Sequence, residues 1–116
     1  MTRSPIVPVP VRRGEVWWVS LDPARGGEIQ KTRPAVVLTV DALNRARRTV
    51  VVVPLSTGPA PRPPIVVATP SAGTGSVAAC DQLRAVDKGR LTGRVGQLAA
   101  ADLRAVEDGV RGVLEL

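Results

Sequence analysis

Pro34-Ala35-Val36-Val37-Leu38-Thr39-Val40 is apolar at every position except Thr39. The run is too short and too β-branched for a core helix. It reads instead as a strand buried on both faces. Upstream of it, Leu21 to Arg33 is a polar loop marked by Pro23, Gly26 and Gly27. Before that loop, Glu15-Val16-Trp17-Trp18-Val19-Ser20 opens after Gly14 and predicts a first strand. Strand geometry puts Trp17 and Trp18 on opposite faces: one in the core, the other at a subunit interface or under a bound base. Downstream, Asp41 to Arg48 is a loop or one helical turn, and Thr49-Val50-Val51-Val52-Val53 is a third strand. The proline-rich stretch Pro54 to Pro64 predicts a surface loop.

The remaining segments are short. Ile65 to Ala68 is a fourth strand, Pro70 to Gly75 a turn, and Ser76 to Val86 a longer fifth strand. Asp87-Lys88-Gly89 is a tight turn, and Arg90 to Leu98 supplies one or two strand pieces. The end differs in kind. Leu103, Val106, Val110, Val113 and Leu114 share one helical face, starting near Asp102 or the alanines before it. Gly109 and Gly112 weaken that helix, so packing on the sheet must hold it. Several short strands followed by one helix predict a mainly β fold, a small antiparallel barrel crossed by a C-terminal helix. Residues 13–116 form one domain, and 1–12, interrupted by Pro5, Pro8 and Pro10, a flexible tail. The tail carries no signal-peptide pattern and no apolar run reaches membrane-spanning length, which predicts a cytoplasmic protein without a membrane partner.

Composition narrows the chemistry. The 116 residues contain no histidine. Ser-His-Asp, Cys-His and paired-histidine mechanisms are therefore excluded. Cys80 is the one cysteine, so neither an internal disulfide nor a CxxC zinc site exists, and it reads as a small core residue. The formal charge of +6 and pI near 11.2 point to a polyanionic partner. Trp17 and Trp18 are the only aromatics, which argues against modules that stack bases on several rings.

Three constellations carry possible chemistry. In Gly26-Gly27-Glu28-Ile29-Gln30-Lys31-Thr32-Arg33-Pro34, Pro34 holds Arg33 extended at the mouth of a strand, where a rigid scaffold fixes its fork. An arginine merely capping the strand is the plainer alternative. Ser56 and Thr57 lie at a strand end, facing a cleft or serving ordinary turn chemistry. Asp81 sits in an otherwise apolar strand with Cys80 and Gln82 on the opposite face, and needs a partner or solvent.

Arg13-Gly14-Glu15-Val16-Trp17-Trp18-Val19, Leu21-Asp22-Pro23, Lys31-Thr32-Arg33-Pro34, Val52-Val53-Pro54-Leu55-Ser56-Thr57, Asp81-Gln82 and Val86-Asp87-Lys88 follow one another in an order and spacing that resembles the MazF/PemK family of bacterial toxins. The resemblance implies an SH3-like antiparallel barrel with a C-terminal helix, paired as a homodimer. It implies cleavage of single-stranded RNA at short sequences with no metal or cofactor, leaving a 2′,3′-cyclic phosphate and a 5′-hydroxyl, under the control of a cognate antitoxin. The family's catalytic arginine falls on Arg33 and its catalytic threonine on Ser56, with Thr57 next door. An arginine that assists in PemK-like members is Ala79 here. RNA contacts are expected from Arg25, Glu28, Gln30, Lys31, Arg62, Asp81 and Gln82, with Glu28 and Asp81 as candidates for the base. Related toxins of the same fold poison gyrase instead, which is the alternative reading.

Overall fold

The structure, a computed structural model, describes residues 10–21, 26–28 and 31–116. Residues 1–9 of the expected tail, and Arg25 and Gln30, lie outside the described residues. The elements are β1 (Glu15–Ser20), β2 (Thr32–Val37), α1 (Asp41–Ala46), β3 (Thr49–Thr57), β4 (Val66–Ala68), β5 (Ser76–Ala79), β6 (Arg84–Asp87), β7 (Leu91–Gln97) and α2 (Ala100–Leu114). All strand pairings are antiparallel, along the path β4-β5-β3-β2-β1-β7 with β6 also on β3. Among the described residues the hydrogen-bonded path is not closed. This is the expected mainly β architecture with a C-terminal helix.

Burial on both faces of the central strands is real. Val36 of β2 and Val53 and Leu55 of β3 face one cluster, while Ala35, Val37, Val50 and Val52 face another. Trp17 joins the second cluster with Val19, whereas Trp18 is 45% exposed. Val11 also packs against the second cluster, so the chain is anchored just ahead of Arg13. Helix α2 covers the first cluster through Leu103, Val106, Val110 and Val113. Leu114, placed on that face by its spacing, is instead exposed in the last turn.

Three boundaries differ from the sequence reading, each for a local reason. Strand β2 stops at Val37 because the Thr39 hydroxyl accepts the Val51 N–H at 3.1 Å, and the Thr39 carbonyl is taken by the Asn44 amide at 2.8 Å, turning the chain into α1. Strand β3 runs through Pro54 to Thr57, although a loop is expected from Pro54. Its pairing with β6 ends at Val52 and its pairing with β5 begins at Leu55, so on that edge no partner strand asks Pro54 for an N–H.

The third difference concerns the expected long strand Ser76–Val86, which is broken. Val52 pairs with Arg84 and Leu55 with Ala78, so three steps along β3 answer to six along the other chain. The surplus of three residues is a 3-10 turn, Cys80–Gln82. Strict alternation across Cys80, Asp81 and Gln82 is therefore lost. Cys80 stays fully buried, and burial, joined by the nearby Asp81 charge, pushes its thiol up to about 11, which leaves it without nucleophilic character.

Two ties hold the ends of the sheet. Buried Glu15 accepts from Trp17 Nε1 at 3.0 Å, the Arg12 N–H at 2.8 Å and Arg94 Nε at 2.8 Å. Burial alone would raise its pKa, but these donors outweigh that and hold the carboxyl below its ordinary range. Arg13 pairs with Glu107 of α2 and donates to the Leu38 carbonyl at 3.0 Å, joining the start of β1 to the helix.

The helix glycines have a packing reason. A Cβ on Gly109 would lie 2.7 Å from Cys80 Sγ and 2.9 Å from both the Pro64 carbonyl oxygen and Val67 Cγ2. Helix propensity favours alanine there by about 1 kcal/mol, whereas overpacking costs about 1–3 kcal/mol. Gly109→Ala is therefore expected to lower stability, measured as a lower chemical-denaturation midpoint. An unchanged or raised midpoint would mean that α2 is not pressed against the sheet at this point.

Candidate active site

The mouth of the long loop after β1 is fixed from several sides. The Leu21 N–H donates to the Lys31 carbonyl at 3.0 Å. Arg84 Nη1 donates to the Leu21 carbonyl at 3.3 Å, and Arg90 Nη1 to the Ser20 carbonyl at 3.1 Å. Lys31 has φ 70°, a left-handed backbone that few residues with a side chain adopt. That strain, of order 1–3 kcal/mol, is held by the ladder that begins one residue later.

From there β2 holds Arg33 at its exposed outer end. The β2–β3 ladder pairs Ala35 with Pro54. Two residues further out along both strands, Arg33 comes opposite Ser56. Alternation places Arg33 on the face of Ala35 and Val37, and Ser56 on the face of Val52 and Pro54. These are the same face of the sheet, the one that buries Trp17 further in. Arg33, Ser56, Thr57, Lys31, Gly27 and Glu28 accordingly line one cavity of about 430 Å³. Two cations and two hydroxyls converging beside a carboxylate can hold a phosphate diester and stabilise charge on its oxygens.

A second cavity, of about 490 Å³, adjoins the first and shares Gly27 and Glu28 with it. The 3-10 turn delivers Asp81 and Gln82 to it, and Leu21, Pro54, Leu83 and Arg84 complete its lining. Sequence reading missed Arg84. Its one signal was a charged residue at even spacing from Gln82, next to the apolar Leu83.

The structure thus brings Glu28, Lys31, Arg33, Ser56 and Thr57 together and places Asp81 and Gln82 next door. Arg62 is not among the residues lining either cavity. It bridges to Val66, with its N–H donating to the Val66 carbonyl at 2.7 Å. Trp18 pairs with Pro34 on the face opposite Arg33. It therefore does not lie under a base held in either cavity. Among the described residues, no group of three or more His, Cys, Asp or Glu side chains comes together as a metal site.

Residues 12–114 match the family of PemK-like, MazF-like toxins of type II toxin-antitoxin systems. The chain belongs to that family. Endoribonuclease MazF9 of Mycobacterium tuberculosis is 35% identical over 115 residues, covering 91% of this chain and 98% of the relative. MazF of Deinococcus radiodurans superposes with a TM-score of 0.82 at 24% identity, covering 94% of this chain and 100% of that one. A mycobacterial endoribonuclease solved in complex with its cognate antitoxin superposes at 0.75 with 21% identity, covering 91% and 96%. At that identity the two solved structures speak for the fold.

Within the toxin fold the two hydroxyls are not equivalent. Ser56 shares the face of Arg33, whereas Thr57 alternates to the other face and reaches the cavity only at the strand end. Ser56→Ala is expected to lower the rate constant of RNA cleavage roughly 100-fold, the scale of losing one preorganised donor. Thr57→Val is expected to cost under roughly 10-fold. Single-turnover kinetics on one RNA decides this, and the reverse order would assign the hydroxyl to Thr57.

Proposed function

We propose that this chain is a sequence-selective endoribonuclease toxin that cleaves single-stranded RNA by attack of a ribose 2′-hydroxyl on the adjacent phosphorus, needing no metal ion. The observation that carries the reading is Arg33 and Ser56 lining one cavity that also holds Lys31. The names of its relatives support it. In the reaction the new bond is O2′–P and the bond broken is P–O5′. The products are a 2′,3′-cyclic phosphate and a 5′-hydroxyl, so no water is consumed.

The chain has no histidine to move protons, so positioning and charge stabilisation do most of the work. Arg33 offers two parallel donors to the non-bridging oxygens. Its guanidinium, a fork of donors with no acceptor, serves as a charge stabiliser and not a proton donor. Ser56 hydrogen-bonds the phosphate, and Lys31 offsets charge beside it. Of the two carboxylates considered as base, Glu28 lines the cavity of Arg33 and Asp81 does not. Glu28 is the better placed to accept the 2′-hydroxyl proton.

The same reading includes a homodimer, a bacterial cytoplasmic setting and a cognate antitoxin. No helix among the described residues is long and apolar enough to cross a membrane. The antitoxin supplies an acidic segment complementary to the net charge of +6. Exposed Trp18, away from the cavity, suits the subunit contact.

The test is a long single-stranded RNA incubated with the protein in excess EDTA, beside Arg33→Ala. Discrete fragments with 5′-hydroxyl ends from the wild type, and a loss of roughly 100-fold or more in Arg33→Ala, are expected. RNA left intact by the wild type would favour a toxin of this fold that poisons a protein target such as gyrase.

A further inference from the structure

Among the described residues, the two adjoining cavities differ in sign. The first holds Lys31 and Arg33 against Glu28, a balance of +1. The second holds Arg84 against Asp81 and Glu28, a balance of −1. A second phosphate is therefore disfavoured beside Asp81. What suits this cavity is a neutral group rich in hydrogen-bonding edges, attached to the phosphodiester held next door. Its lining matches: half-buried Leu83 supplies an apolar face above the buried Leu21 and Pro54, and Asp81, Gln82 and Arg84 are polar. A flat, apolar-faced, polar-edged group linked to a phosphate is a nucleobase.

We propose that this second cavity reads one unpaired base beside the scissile phosphate, and that its lining selects guanine. The inference rests on the nuclease reading of the first cavity and names what it recognises. Donors and acceptors decide which base fits. The carboxylate of Asp81 accepts only, and the guanidinium of Arg84 donates only. Guanine is the one common base that presents two adjacent N–H donors, N1 and N2, to a carboxylate and two adjacent acceptors, O6 and N7, to a guanidinium. Adenine, cytosine and uracil each leave one of the two charged groups underused, and an unmatched polar group in a pocket is what rejects a ligand. Gln82, able to donate and accept, adapts to either edge.

The fold explains why these residues can act as a reader. Asp81 and Gln82 sit in the three surplus residues squeezed out between β5 and β6, and Arg84 is the first residue after the register resumes. Arg84 spends one donor on the Leu21 carbonyl, which orients its fork from below. The reading groups thus come from the turn after β5 and the start of β6.

A random-sequence RNA pool cut by the full-length protein, with the cut ends sequenced, tests this. Guanine is expected at one fixed position next to the cut. Adenine there is expected to lower kcat/KM roughly 5- to 150-fold. Inosine, which lacks the N2 donors, and 7-deazaguanine, which lacks N7, are each expected to lose part of that factor. Asp81→Asn, at an exposed position, is expected to erase the difference between guanosine and inosine. Arg84→Gln is expected to erase the difference between guanosine and 7-deazaguanosine. A merely structural role would move neither difference. A fixed base other than guanine overturns the guanine assignment, and unchanged discrimination in both variants overturns the pocket. A pool left intact by the wild type overturns the nuclease reading itself, a result distinguishable from both.

Discussion

One edge of β3 has to serve two strands, and the site follows from how it does so. β6 occupies Thr49 to Val52 and β5 occupies Leu55 to Thr57, with three more residues between the partners than β3 has room for. Those residues leave the sheet as the 3-10 turn Cys80–Gln82. The turn sends Cys80 into the core beneath α2, where Gly109 has no side chain to oppose it, and releases Asp81 and Gln82 at the surface. The gap it leaves along β3 is where Pro54 is tolerated, so β3 can continue far enough to present Ser56 and Thr57.

The other half of the site comes from the opposite edge of β3. Pairing with β2 brings Arg33 to Ser56, and the arginine is rigid because Pro34 and the ladder fix its backbone. Arg84 and Arg90 bind carbonyls at the end of β1 and so hold the loop mouth from the side of β6 and β7. The result is two cavities with Glu28 on the wall between them, one of net positive and one of net negative lining. On the proposed reading, that arrangement separates the handling of a phosphate from the handling of a base.

Much of this was legible in the chain, for identifiable reasons. β1 announces itself by its β-forming residues and α2 by its period, and the apolar run after Pro34 correctly implied burial on both faces. Arg33 stood out because Pro34 restricts it. What the sequence could not display is pairing. Pro54 looked like a strand end because its tolerance depends on a gap in a partner 25 or more residues away. The break after Ala79 hid inside a plausible alternation, and with it went the role of Arg84. Arg62 looked like a phosphate contact because it is basic and in a loop. Among the described residues it lines neither of the two cavities.

The central claim is that the substrate's own 2′-hydroxyl is the nucleophile, with the protein supplying placement and charge. The most direct measurement compares two RNAs identical in sequence, one carrying a single deoxyribose immediately 5′ to the cut. The account predicts that the ribose control is cleaved and the deoxy substrate stays whole while binding with similar affinity. Cleavage of the deoxy substrate at the same bond would contradict it and require a nucleophile from water or from the protein.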